Sequence, residues 1–194
     1  MGLGVNQPLP DHCWEYVSHD IITGLPTSPR GNDAIVTFVD RLSKRVILAP
    51  TSSSSSIDIV GYAHLFFHNT YRHFGLPRVL VSNRNPRFTS KFWKALTKRL
   101  GTTLNMYMVD ISTSHHPQTD GQTERANHTV EDMLRAYVSP LQLDWDEHLV
   151  AAEFAYNNIL HASTGYTPFY LNYGRHPYSY VFGNSIQRPT RYGH

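Results

Sequence analysis

The sequence predicts an α/β domain with a mixed β-sheet flanked by helices. Short β-rich segments come first in the chain, helical and extended segments then alternate, and amphipathic helices follow. With 194 residues, 40% of them hydrophobic, the chain is long enough to form one domain with a buried core.

The first half of the chain is divided by turn-forming residues. The β-rich segment 14–22 is followed by a connection rich in glycine and proline, which leads into a second predicted strand over 34–39. A third strand over 45–48 is expected to end at Pro50. A helix over 58–74 should then bury one stripe of side chains, spaced three or four residues apart: Val60, His64, Phe67 and Tyr71.

The second half is predicted to be mainly helical. A short buried strand over 78–81 precedes a basic helix that is capped by Thr89 or Ser90 and ends before Gly101. The segment 103–109 is expected to be extended, and two further helices are predicted over 119–138 and 144–160. We interpret residues 1–13 as an N-terminal tether, 14–177 as the folded domain and 178–194 as a C-terminal tail.

Charge is distributed unevenly along the chain, although the net charge is only +2. Between Asp58 and Asp110 there is no carboxylate, but there are eight lysines and arginines. The segment 131–153 has the opposite balance, with six acidic residues and one arginine. A polyanion such as DNA should be attracted to the first segment and repelled by the second. The alternative is that both are ordinary solvated helix faces.

Several classes of protein are disfavoured by the composition. The single cysteine, Cys13, excludes an internal disulfide and a multi-cysteine zinc site. No run of 18 apolar residues is present, and the first ten residues lack the pattern of a signal peptide. We therefore expect no membrane association, and no motif indicates a small-molecule cofactor.

Two carboxylates are placed against the apolar pattern. Asp20 lies in the middle of a predicted strand, where a carboxylate is disfavoured and costly to bury unpaired. Glu124 lies at the edge of the apolar stripe of a predicted helix, with Asn127 nearby at helical spacing. The alternatives are that Asp20 faces water or pairs with an arginine, and that Glu124 is a surface carboxylate stabilised by the helix dipole.

A third segment, Val81–Trp93, is a polar loop that leaves a short strand and leads into the basic helix. Loops at strand ends of α/β sheets are favoured ligand sites. The chain also contains six short motifs: His19–Pro26, Val39–Lys44, Phe74–Pro77, His116–Asn127, Ala155–Asn158 and Thr164–Phe169. By these motifs, the two carboxylates and the Val81–Trp93 segment, the region from Trp14 to Tyr173 resembles the catalytic core of gypsy-type LTR-retrotransposon and retroviral integrases.

The resemblance implies a ribonuclease H-like fold with a mixed five-stranded sheet, and a catalytic Asp, Asp, Glu triad that holds two Mg²⁺ or Mn²⁺ ions. Asp20 matches the first aspartate and Glu124 the glutamate, so both are expected metal ligands. Asn83 stands where the family has its second catalytic aspartate. The spacing from Asn83 to Glu124 is also longer than the family pattern, and 107–111 is the expected insert. The predicted metal site is therefore weakened.

The implied function is DNA integration, by 3′-end processing and strand transfer, with catalysis impaired by Asn83. Homo-oligomers and a nuclear location are also implied. A non-enzymatic module that binds nucleic acid or self-associates is an alternative, and a ribonuclease H-type hydrolase is disfavoured because the motifs are those of integrases. Residues expected to contact DNA, chiefly its phosphates, are Arg84, Arg87, Lys91, Lys94, Lys98, His116, Gln118 and Arg125.

Overall fold

The structure, a computed structural model, describes residues 10–53, 59–82, 86–101, 117–137 and 143–178. These contain four strands, an interrupted helix and four further helices. The strands are β1 (Tyr16–Ile22), β2 (Ala34–Asp40), β3 (Val46–Thr51) and β4 (Val79–Ser82). The helices are α1 (Ile59–Phe66), α2 (Arg72–Phe74), α3 (Pro86–Leu100), α4 (Pro117–Tyr137), α5 (Trp145–Asn157) and α6 (Pro168–Tyr173).

The described strands form one mixed sheet in the order β3-β2-β1-β4. Strands β1, β2 and β3 are antiparallel neighbours, whereas β4 is parallel to β1, which is the combination that the sequence predicts. The segment 103–109, expected to form the fifth strand, lies outside the described residues.

Helices cover both faces of the sheet. Because side chains alternate along a strand, Val36 and Phe38 of β2 face one way and Ile35 and Val39 the other. The first face packs against α1 and α3 in a core that includes Tyr62, Phe66, Phe92, Trp93 and Leu96. The second packs against α4 and α5 in a core that includes Ala126, Val130, Leu134, Trp145 and Leu149. The chain therefore forms three layers, with the sheet in the middle.

The predicted buried face of the helix over 58–74 is wrong in its first half, whereas Phe67 and Tyr71 are half-buried against the core. Val60 is 59% exposed, and the buried residues are Tyr62, Ala63, Phe66 and Thr70. The Tyr62 hydroxyl is hydrogen-bonded to His19 Nδ1, so this polar aromatic side chain can be buried without losing a partner. The helix also changes to a π-helical turn over Phe67–Tyr71, before it ends at Gly75 as predicted.

The structure also differs from the prediction at the end of one strand, at the start of one helix and in one additional helix. Strand β3 continues through Pro50 to Thr51, because β3 lies at the edge of the described sheet, where the missing proline N–H is tolerated. Helix α3 begins at Pro86 instead of after Thr89 or Ser90, since proline suits the first helical position. Helix α6 was not predicted, although Thr167 caps it by accepting a hydrogen bond from the Tyr170 N–H.

Two motifs of the predicted family stabilise the fold around the sheet. In the turn between β2 and β3, the buried Asp40 carboxylate accepts hydrogen bonds from the Trp14 N–H at 2.8 Å and from the Ser43 N–H at 2.9 Å. Near the end of α5, Asn157 exchanges two hydrogen bonds of 2.9 Å with the backbone N–H and C=O of Val46. Glu153 accepts a third, from the Leu48 N–H, at 2.9 Å. Side chains of α5 thus satisfy part of the β3 edge.

Candidate active site

Asp20 is held between strand β1 and helix α4. Its Oδ2 accepts a hydrogen bond of 3.1 Å from Asn127 Nδ2, and its Oδ1 accepts one of 2.8 Å from the Ile21 N–H. Two residues earlier on the same face of β1, Ser18 accepts a hydrogen bond of 2.9 Å from the Thr123 hydroxyl. Side chains spaced four apart on α4 therefore bind side chains spaced two apart on β1, which fixes the helix along the strand.

Glu124 lies on the same helix, three residues before Asn127. Residues three apart are neighbours on a helix surface, so Glu124 lies beside Asn127 on the helix that binds Asp20. The Glu124 side chain is 72% exposed, and its Oε1 lies 3.9 Å from His128 Nε2. This position at the edge of the buried stripe agrees with the sequence prediction, because Ala126, Val130 and Leu134 are buried beside it.

The third predicted site residue, Asn83, lies outside the described residues. The parallel register between β1 and β4 nevertheless ends close to it in sequence. Its last pair joins His19 to Ser82, and Asp20 and Asn83 are the next residues in the chain. Ligand-binding sites in α/β proteins usually lie at the carboxyl ends of parallel strands.

The donor atoms near Asp20 suit a hard divalent cation. Carboxylate and amide oxygens are the preferred ligands of such ions. Asn127 Oδ1 is buried and accepts no hydrogen bond from any described residue, so it is an oxygen whose burial costs free energy unless a cation or water satisfies it. Among the described residues, no three His, Cys, Asp or Glu side chains form a cluster that could hold a metal ion. The fit therefore rests on Asp20 and Glu124 together with amide oxygens.

The predicted DNA-binding residues are divided between the two helical layers. Lys91, Lys94 and Lys98 are exposed and share one face of α3, because they are three and four residues apart. Arg125 lies on α4, on the other side of the sheet. Of the rest, the backbone is described for Arg87 in α3 and Gln118 in α4, whereas Arg84 and His116 lie outside the described residues.

The chain is similar in sequence to transposon polyproteins of Schizosaccharomyces pombe. It is 36% identical over 168 residues to the Tf2-3 and Tf2-4 polyproteins, and the match covers 86% of this chain. It covers 12% of each polyprotein, so the chain corresponds to a small part of these relatives. No protein-family model matches it.

The fold is that of retroviral integrase cores. The catalytic core of HTLV-2 integrase, solved in complex with magnesium, superposes with a TM-score of 0.57 at 19% identity, over 84% of this chain and 97% of that one. The core of BIV integrase gives 0.56 at 21% identity, over 80% and 91% of the two chains. The sequence relatives are transposon polyproteins and the structural neighbours are integrase catalytic cores, and together they support a retrotransposon integrase core. The predicted ribonuclease H-like fold is thereby confirmed.

Two residues of this integrase core were not predicted as site residues. Asn127 was noted only as a neighbour of Glu124, and Thr123 was not considered. Their spacing of four, on the helix face that carries Ala126 and Val130, is the signal that could have identified them as polar residues facing the sheet.

None of the helices in the described part of the chain combines the length and the hydrophobicity that a bilayer crossing requires.

Proposed function

We propose that this integrase core binds DNA and carries a metal-dependent phosphoryl-transfer site that is impaired by Asn83. The observation that supports the proposal most strongly is the hydrogen bond from Asn127 to Asp20, because it joins the helix of Glu124 to the strand of Asp20. This bond supports a site that is shared by two carboxylates on separate elements. The ancestral reactions are 3′-end processing by water and strand transfer by a 3′ hydroxyl.

Asp20 and Glu124 would hold the metal ions, with the neutral carbonyl of Asn83 as a third donor. Bound divalent cations supply activation of the attacking oxygen and stabilisation of the leaving oxygen in reactions of this class. Asn127 orients the Asp20 carboxylate by donating a hydrogen bond to Oδ2. Asn83 provides one negative charge less than an aspartate. By analogy with single losses at other catalytic sites, we expect a rate at least about 10³-fold lower.

A non-enzymatic DNA-binding module is the second candidate function. The substitution of an amide at position 83 favours it, because a site that has lost a charged ligand can persist for binding alone. Lys91, Lys94 and Lys98 would contact phosphates in either case. We also propose that the chain self-associates, because the HTLV-2 integrase core has been solved in trimeric and dimeric forms. A nuclear location is a further part of the proposal.

Metal-dependent joining of DNA ends separates the two functions. The assay compares the parent with Asn83→Asp and with the double variant Asn83→Asp, Asp20→Asn, which has the same net charge as the parent. The proposal predicts activity in Asn83→Asp and its loss in the double variant. Equal, metal-independent activity in all three proteins would contradict it.

A further inference from the structure

A cavity of about 440 Å³ lies between helix α4, the turn from β2 to β3 and the segment after α5. Its polar lining consists of three basic and three hydroxyl side chains. These are Lys44, Arg125, His161, Thr129, Tyr156 and Ser163. The cavity is of the size that holds small organic ligands.

The basic groups in this cavity repel one another. Burial lowers the pKa of Lys44, and the charges of Arg41 and Arg125 lower it further. Burial also lowers the pKa of His161, together with the charges of Lys44 and Arg125. The charge of Asp40 acts in the opposite direction on Lys44, whose ammonium group also donates a hydrogen bond of 2.6 Å to the Arg41 C=O. Such repulsion costs free energy, and a bound anion would offset it.

The His161 ring is oriented by the loop that contains it. Its Nδ1 lies 3.0 Å from the Ser163 hydroxyl oxygen and accepts a hydrogen bond of 3.4 Å from the Ser163 N–H. Since Nδ1 is an acceptor, Nε2 carries the hydrogen in the neutral ring. His161 therefore remains a hydrogen-bond donor for an anion whether or not it is charged.

The remaining wall of the cavity is apolar. Ile159 and Leu160 line it and are 52% and 70% exposed, so large hydrophobic side chains meet solvent beside the basic groups. An isolated inorganic anion would leave this surface uncovered. A phosphate that carries a flat organic group would cover it and gain hydrophobic free energy.

We propose that this cavity binds one nucleotide unit, with its phosphate on Lys44, Arg125 and His161 and its sugar and base against Ile159 and Leu160. A free nucleotide and a nucleotide within a DNA strand share this chemistry. The site is separate from the candidate active site. Arg125 and Thr129 lie about 100° around α4 from Glu124 and His128, because each residue turns a helix by that angle.

The test is calorimetric titration of the parent chain with thymidine 5′-monophosphate, thymidine and inorganic phosphate. The monophosphate should bind more tightly than either of the other two. Arg125→Gln and His161→Gln should each weaken it about tenfold through the loss of a charge-assisted hydrogen bond. The matched control is Arg135→Gln, on the same helix but outside the cavity, which should bind like the parent. Thermal unfolding checks that each variant is folded.

Three results would overturn the proposal: no binding of the monophosphate, equal binding of phosphate alone, or unchanged affinity in both cavity variants. A short single-stranded thymidine oligonucleotide then distinguishes the sources. Displacement of the monophosphate assigns the site to a DNA strand, and simultaneous binding assigns it to a free nucleotide. The titration needs neither metal nor strand transfer, so its failure differs from failure of the proposed function.

Discussion

Asn127 donates a hydrogen bond of 3.1 Å to the Asp20 carboxylate and thereby joins helix α4 to strand β1. The two residues are 107 positions apart in the chain, so the contact forms only in the folded domain. Glu124 is one helical turn from Asn127, on the helix that this bond fixes to β1. The proposed site therefore depends on a neutral amide as well as on carboxylates.

Removing the Asn127 amide should weaken both the fold and the site. We expect Asn127→Ala to lower the free energy of unfolding by about 1–2 kcal/mol, because a buried hydrogen bond to a carboxylate is lost. Thr123→Val is the matched control, since it removes the bond to Ser18 one turn earlier without touching Asp20. In an Asn83→Asp background, strand transfer should fall further in Asn127→Ala than in Thr123→Val. Equal losses of rate would show that the amide has no specific role at the site.

The hydrogen bonds that Asp40 accepts in the turn between β2 and β3 should contribute strongly to the free energy of unfolding. Asp40→Ala leaves the buried N–H groups of Trp14 and Ser43 without their acceptor, and we expect a loss of about 2–4 kcal/mol. Asp132→Ala, at an exposed position of α4, should change stability by less than about 0.5 kcal/mol. Urea unfolding measures both. If Asp40→Ala lowers the free energy of unfolding as little as Asp132→Ala does, the hydrogen bonds of Asp40 do not stabilise the fold.

Ionisation of the buried Glu153 carboxyl should lower the free energy of unfolding as the pH rises. Burial raises its pKa above the usual 4.5, although the Leu48 N–H and Arg45 act in the opposite direction. A raised carboxyl pKa favours the protonated form in the folded state, so this contribution is present below about pH 4.5 and is lost as the pH rises through the folded pKa. Glu153→Gln keeps an acceptor for Leu48 and should be more stable than the parent at neutral pH.

The comparison with Glu147→Gln isolates the effect of burial. Glu147 lies on the same helix, but its side chain is 62% exposed. Urea unfolding of both variants and the parent from about pH 4 to pH 7 should show a stability difference that grows with pH for Glu153→Gln alone. A difference for Glu153→Gln that stays constant over this range would mean that its burial does not control ionisation.

The lysine face of α3 should set much of the salt dependence of DNA binding. Replacing Lys91, Lys94 and Lys98 with glutamine should reduce the slope of log affinity against log salt by about 2–3, since each phosphate contact contributes about 0.9. A triple variant of Arg30, Arg135 and Arg175 to glutamine removes the same charge elsewhere. Equal slopes for the two triple variants would show that only net charge matters.

Much of the fold could be predicted from local sequence patterns. The strand over Tyr16–Ile22, the end of a helix at Gly75 and the buried apolar stripe of α4 all follow from periodicity and turn chemistry. The buried face of α1 could not be predicted in this way. The buried Tyr62 hydroxyl is hydrogen-bonded to His19 on another element, and the helix pattern does not contain that partner.

The candidate site was predictable in its charged residues and not in its neutral ones. Asp20 and Glu124 stand out because carboxylates are unusual beside apolar stripes. Asn127, Thr123 and Ser18 are ordinary polar residues in sequence, and their roles depend on how α4 lies along β1. The three lysines of α3 and Arg125 were predicted as one set of DNA contacts, but the sheet separates them in space.

The central proposal is that Asn83 is the main defect of a metal site formed with Asp20 and Glu124. Its most direct test is the single-turnover rate of strand transfer by the parent and by Asn83→Asp, with Mg²⁺ and with Mn²⁺, at equal occupancy of DNA. The account predicts a variant at least about 10³-fold faster than the parent with either metal. Equal rates, whether both are fast or both are absent, would contradict it.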